Sequence, residues 1–151
     1  GTVCADLWRR YGLARPRLVV VEPESAACLY LSALAGEPRV ASITAESLMA
    51  GLSCGEVSLV GWQILALGAQ DFVTITDESV APLMRLLAEN NWGDQAIVAG
   101  ESAIAGLAGL IAARADPQLS DKLGLSQNSH VLLFGTEGAT DLEVYRQLVK
   151  Q

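Results

Sequence analysis

The stretch Arg17-Leu18-Val19-Val20-Val21-Glu22-Pro23 decides the fold class. Its centre is an unbroken apolar, β-branched run without the apolar/polar alternation of a strand that has water on one face, and Glu22-Pro23 ends it. Such a run suits a strand covered on both faces, which is the situation inside a parallel sheet. Upstream, Thr2 to Gly12 predicts a helix with Val3, Leu7 and Trp8 on one face and Gly12 as its stop. Nothing caps the start of that helix, and Gly1 therefore reads as a cut inside a longer protein.

Working downstream, a helix follows directly over Ser25 to Leu34. A second unit pairs an apolar helix around Val60, Trp62, Ile64 and Leu65 with a strand Phe72 to Ile75. Next come a helix from Asp77 to Ala88, a strand Ala96 to Ala99 and a helix Ser102 to Arg114. The last unit is a strand His130 to Phe134, a glycine-rich turn and a terminal helix with Leu142, Tyr145 and Val149 on one face. Pro82 requires the helix containing it to start late or to bend. Strands alternating with helices imply right-handed crossovers. The expected fold is therefore α/β, an open, mostly parallel sheet with helices on both faces in a Rossmann-like three-layer arrangement. Without a repeat or a Pro/Ser-rich linker, residues 1–151 form one expected domain.

Composition narrows the function classes. The chain has 151 residues, 51% of them hydrophobic, with ten basic and seventeen acidic residues for a net charge of −7. Arg9, Arg10, Arg15 and Arg17 are the one local basic group, and their spacing fits a helix end and a strand entry rather than a surface for nucleic acid. No stretch of about eighteen apolar residues suggests a membrane span. Cys4, Cys28 and Cys54 are widely spaced with no histidine nearby, so no metal site is expected, and a reduced cytoplasmic setting fits them.

In open α/β sheets, ligands bind beyond the carboxyl ends of the strands. Four loops have that position: Glu22-Pro23, Thr76 to Glu78, Gly100-Glu101-Ser102, and Gly135-Thr136-Glu137-Gly138-Ala139-Thr140-Asp141. In the last, two glycines permit backbone approach while Thr136 and Glu137 offer a hydroxyl and a carboxylate. Its plainer alternative is a turn capped by Thr140 or Asp141 ahead of the terminal helix. Ser102 equally suits an N-cap, and Glu101 a favourable charge at a helix start. The block Met49 to Glu56 suits a loop lining a pocket. His130, alone in the sequence, suits the surface. Phosphate-loop, dinucleotide and nucleophile-elbow motifs are absent.

The order of Val20-Val21-Glu22-Pro23, Ala27-Cys28-Leu29-Tyr30, Met49 to Glu56, Met84-Arg85-Leu86-Leu87, Gly100-Glu101-Ser102 and Gly135 to Asp141 resembles the C-terminal half of the diaminopropionate ammonia-lyases. These are fold type II pyridoxal-phosphate enzymes, grouped with threonine dehydratase and the tryptophan synthase β subunit. The resemblance covers essentially the whole chain. It implies amino-acid catabolism by α,β-elimination of diaminopropionate to pyruvate and ammonia, with pyridoxal phosphate bound through a lysine. It also implies that Gly135, Thr136, Glu137 and Gly138 face the cofactor's ring nitrogen and that Glu101 lies near the ring hydroxyl. Where relatives carry a Ser or Thr, this sequence has Gly135, with Thr136 as the neighbouring hydroxyl.

The same resemblance places the Schiff-base lysine, the phosphate loop and the acidic catalytic residue in an N-terminal half outside these 151 residues. The catalytic set expected in this chain is accordingly empty, and the expected partners are that half, an amino-acid substrate and a second copy of the chain. The competing expectation is an orphaned interaction or binding module. A generic nucleotide binder is disfavoured by the absence of its glycine fingerprint.

Overall fold

The Val19–Val21 run forms the strand its composition predicts. In the computed structural model, which describes residues 1–90 and 95–150, β1 (Val19–Pro23) pairs in parallel with β2 (Asp71–Ile75), Val19 opposite Asp71 and Pro23 opposite Ile75. The entry to the ladder is pinned by polar groups. Arg17 donates to both Asp71 carboxylate oxygens at 2.5 and 2.9 Å, and the Leu18 amide donates to the Gln70 side chain at 2.7 Å.

Before β1, helix α1 (Thr2–Tyr11) ends at Gly12, whose φ of 54° is a left-handed value natural to glycine. α2 (Cys28–Ala35) follows β1 and stops at Gly36, with φ 73°. α3 (Leu59–Gly68) is capped by Ser58, whose hydroxyl accepts from the Gly61 amide at 3.2 Å. α1 packs on α3 closely enough that a Cβ on Gly68 would overlap the Cys4 sulfur and press on the Trp8 ring at 3.1 Å. Trp62 of α3 meets Phe72 of β2 with ring centroids 6.3 Å apart.

After β2, α4 (Val80–Glu89) starts late, as one of the two options for Pro82 requires, so that Pro82 falls in the first turn, where its missing N–H costs nothing. α5 (Ala105–Ala115) lies across both strands, and glycine allows its close approach: a Cβ on Gly109 would come within 2.9 Å of Val21 Cγ2. α6 (Pro117–Leu123) carries a full set of end signals. Asp116 accepts from the Gln118 and Leu119 amides at 2.8 and 3.3 Å, proline opens the helix, and Gly124 closes it at φ 69°. α7 (Leu142–Lys150) packs on α4, with the Arg85 guanidinium donating to the Leu148 carbonyl at 2.9 Å. Met49, Ile75, Val80, Leu83, Met84, Ala99, Ile104, Ala105 and Ala108 make the buried core beneath these helices.

Two expected strands are not strands. Ala96–Ala99 and His130–Phe134 join no ladder, and the sheet among the described residues is β1 with β2 alone. Their apolar, β-branched composition meets the requirement of a strand, but among the described residues neither pairs with a strand, and the 96–99 segment makes one backbone bond, from the Ile97 amide to the Leu87 carbonyl at 3.0 Å. The class remains α/β, a parallel sheet with helices packed against it. No described helix is long and apolar enough to cross a membrane.

Candidate functional site

Three of the loops singled out in the sequence converge at the carboxyl end of β1. The Glu137 carboxylate accepts from the Ser102 amide at 2.5 Å, and the Gly100 amide donates to the Glu137 carbonyl at 3.0 Å. Ser102 does not cap its own helix. Its hydroxyl accepts from the Gly51 amide at 3.0 Å instead, which joins the Met49–Glu56 block to the other two loops. Glycine is required where they meet. A Cβ on Gly100 would overlap the Gly138 carbonyl and lie 2.6 Å from Glu137 Cγ, and one on Gly51 would lie 2.9 Å from the Ser102 hydroxyl.

The Met49–Glu56 block is held in place from the other side. Asp77, just past β2, accepts from the Ser47 hydroxyl at 2.6 Å and from the Leu48 amide at 2.8 Å, and Met49 is fully buried beside them. Asp77 therefore fixes the loop that carries Gly51. The fourth strand-end loop does something different. Glu22, buried at the end of β1, accepts from the Leu29 and Tyr30 amides at 3.1 and 2.8 Å and so caps α2, which has no side-chain cap of its own. Burial raises its pKa above the usual carboxyl value, while the two amides pull it back down. The adjacent Cys28 thiol is pushed up to about 11 by burial and by Glu22, which makes it a poor nucleophile.

The three joined loops close one end of a cleft of about 820 Å³. Gly51, Ser102, Thr136, Glu137 and Gly138 line that end, and a Cβ on Gly138 would meet open space. A Cβ on Gly135 would lie 3.4 Å from the Ala103 carbonyl, and Glu101 sits half-buried in the turn before Ser102 without lining the cleft. His130 is exposed at the cleft's rim. The capping alternative for the last loop is also realised, by Asp141, which accepts from the Glu143 and Val144 amides at 2.9 and 3.0 Å. The loops of Glu22 and Asp77 were singled out, but their bonding roles and the Gly51–Ser102 bond were not foreseen, because each joins residues that only the folded chain brings together. No cluster of metal-ligating side chains occurs among the described residues.

A parallel α/β sheet with glycine-bearing loops gathered at a strand's carboxyl end is the arrangement of a ligand-binding α/β enzyme domain. Residues 3–134 match the family described as pyridoxal-phosphate dependent enzyme, and the chain belongs to that family. Among curated proteins it is similar to diaminopropionate ammonia-lyase of Escherichia coli K12, 38% identical over 134 residues, covering 87% of this chain and 34% of that one. The Salmonella typhimurium LT2 enzyme of the same name is 34% identical over 140 residues, covering 89% and 35%. The crystal structure of the holo Escherichia coli lyase superposes with a TM-score of 0.85 at 36% identity, over 99% of this chain and 38% of that chain. A threonine deaminase from Solanum lycopersicum, TM-score 0.64 at 12% identity over 95% and 37%, shares the fold. The chain thus spans about a third of the length of the curated relatives it matches.

Proposed function

We propose that residues 1–151 are one α/β domain, the C-terminal part of a pyridoxal-phosphate-dependent ammonia-lyase that converts diaminopropionate to pyruvate and ammonia. The observation that carries this reading is the closure of Gly51, Gly100–Ser102 and Glu137 into one end of the cleft, in a chain similar throughout to lyases of that name. A cytoplasmic, catabolic role goes with the reading.

The residues present fit one edge of the cofactor. Gly138 leaves open space and Thr136 faces the same end of the cleft, which suits the polar edge of a flat ring. When bound, the cofactor supplies an electron sink for the substrate's α-carbon. In this reading the Thr136 hydroxyl meets the ring-nitrogen side. Gly135 and Gly138 let the backbone come close, and Glu101 lies toward the ring hydroxyl. Glu137 acts one step back: its carboxylate, bonded to the Ser102 amide, fixes the height of the loop that bears Thr136. Gly51 and Ser102 brace it from below and exclude water from that corner.

No lysine lines the cleft among the described residues. Lys122 belongs to α6 and a separate, smaller cleft, and Lys150 ends α7. The lysine, the phosphate grip and the proton-transfer groups are therefore assigned to a segment outside these 151 residues, and the chain by itself is expected to be inactive. Mixing the chain with the separately produced remainder of the Escherichia coli lyase tests this. Pyruvate should form from diaminopropionate in the mixture and not with the chain alone. Turnover by the chain alone, or a stable mixture without turnover, would overturn the reading.

A further inference from the structure

Asp77 and Ser102 stand where helix caps are expected. Asp77 opens the turn Asp77–Ser79 that runs into α4, and Ser102 opens the turn Ser102–Ile104 that runs into α5. Among the described residues neither side chain accepts from an amide of the helix it introduces, and neither helix start has another side-chain cap. Both side chains are turned instead on one short segment, from opposite ends. Asp77 holds it with two carboxylate oxygens, one on the Ser47 hydroxyl at 2.6 Å and one on the Leu48 amide at 2.8 Å, and Ser102 accepts from the Gly51 amide at 3.0 Å. Two helix starts thus forgo a stabilising cap to grip residues 47–51.

The segment between the two grips has little freedom. A carboxylate only accepts, so the Ser47 hydroxyl proton points at Asp77, which leaves the hydroxyl oxygen to accept from the Met49 amide at 3.0 Å. Ser47 is buried, and the Met49 side chain is fully buried in the core with Ile75 and Val80. Ala50–Leu52 then form a tight turn, closed by the Leu52 amide on the Met49 carbonyl at 2.8 Å, from which the Gly51 amide reaches Ser102. That junction has no slack, since a Cβ on Gly51 would lie 2.9 Å from the Ser102 hydroxyl. The Ser102 amide in turn donates to the Glu137 carboxylate at 2.5 Å, next to Thr136. Asp77, Ser47 and Met49 do not line the cleft, yet a continuous succession of bonds joins them to the loop that does. We infer that Asp77 is a positioning residue for the cofactor end of the cleft: through Ser47 and Met49 it sets the Gly51 amide, and through Ser102 and Glu137 it sets the Thr136 hydroxyl. The role toward the cofactor rests on the reading of that end as the ring-nitrogen side of a pyridoxal-phosphate pocket, whereas the relay of bonds stands on the geometry.

Amide exchange resolved by NMR on the 151-residue chain tests the relay. Dialysis of pyridoxal phosphate from the chain combined with the separately produced remainder of the Escherichia coli lyase tests what the relay serves. Asp77→Ala should speed exchange at the Ser102 amide, which Asp77 does not touch, by about tenfold, while the bonded amides of the β1–β2 ladder keep their rates. Ser47→Ala, a milder change, should do the same, and the double variant should be no faster than the faster single one, because both interrupt one series of bonds. In the combined enzyme, Asp77→Ala should weaken retention of pyridoxal phosphate about three- to tenfold. Asp116→Ala removes the cap of α6 and stands for a plain loss of stability, so it should leave both readings unchanged. Unchanged exchange at Ser102, or additive effects in the double variant, would overturn the relay. Faster exchange with unchanged retention would make Asp77 a structural residue only and overturn its role toward the cofactor, with the lyase reading intact. A combined enzyme of natural sequence that holds no pyridoxal phosphate would overturn the lyase reading and the cofactor role together, and the exchange rates would still decide whether the relay exists.

Discussion

Val19-Val20-Val21 and Val131-Leu132-Leu133-Phe134 are nearly interchangeable as sequences, and the molecule treats them in opposite ways. The first is a laddered strand with helices on it, and the second is an exposed segment whose backbone makes no hydrogen bond among the described residues. Composition sets what a segment is able to do, but a strand exists only where another backbone supplies hydrogen bonds. β1 finds that partner 52 residues on, in β2. The 130–134 segment lies against α5 and makes no backbone hydrogen bond among the described residues.

The sharpest contrast is expected from truncating one side chain in each environment. Met49→Ala removes a fully buried side chain from the core and should cost about 2 to 5 kcal/mol, a fall of roughly 5 to 20 °C in the melting temperature. Leu132→Ala in the isolated chain should change stability by no more than about 0.5 kcal/mol, because the side chain is 73% exposed. Thermal melts followed by circular dichroism check both. Equal losses would mean that the 130–134 segment is packed after all.

Gly100→Ala asks whether the loops beyond that segment are as firm as the laddered half. The new methyl would fall on the Gly138 carbonyl and the Glu137 side chain, so the turn must shift, at a cost of about 1 to 3 kcal/mol. An unchanged melt would show that the junction of the three loops yields freely.

Within the laddered half, Glu22→Ala leaves the Leu29 and Tyr30 amides without their acceptor and should cost about 1 to 3 kcal/mol. Its pH dependence has a definite sign. Burial raises the carboxyl's pKa, so the folded chain holds that proton more tightly than the unfolded chain, whose value is near 4.5. The resulting stabilisation is full below that value and is lost as pH rises through the folded one. The stability of the natural chain relative to the non-titrating Glu22→Gln should therefore decline as pH increases across that window. A constant difference would remove the assignment of burial as the dominant cause.

The smallest effect is expected at the cofactor end of the cleft. In the reassembled enzyme, Thr136→Ala should weaken retention of pyridoxal phosphate by about 0.5 to 1.5 kcal/mol, the range of one neutral hydrogen bond, read by equilibrium dialysis. Unchanged retention would assign Thr136 to the turn that precedes α7.

What could be read from the sequence follows the same division. The helices and the β1 and β2 strands are local in cause, written in apolar periodicity, in stops such as Gly12 and in the unbroken valine run, and they stand close to where they were expected. The rule that ligands lie beyond strand ends singled out the loops of Ser102 and Glu137, which the fold joins, whereas Gly51 comes from a block read only as suited to lining a pocket. It could not tell that Ser102 would accept from an amide 51 residues away instead of capping its own helix, or that Glu22 would serve α2. Those roles depend on distances that exist only after folding. Ala96–Ala99 and His130–Phe134 failed as strands for the same reason in reverse, since their sequences satisfy a requirement that the chain does not complete. α6 is the avoidable omission, because Asp116-Pro117 and Gly124 stand in the sequence as its end signals.

The Arg17–Asp71 ion pair has a consequence larger than its energy. Because both partners are partly exposed, the pair adds little to stability. It does act as an index mark. Two valine-rich strands can slide past each other by two residues and keep every side chain on its original face, a displacement of about 7 Å. Only one setting brings the guanidinium onto the Asp71 carboxylate and the Leu18 amide onto Gln70. That setting also fixes, at the far ends of the strands, how Glu22 stands relative to Asp77, and with them how α2 stands relative to the Gly51 loop. The geometry at the top of the sheet is thus written in a contact at the bottom.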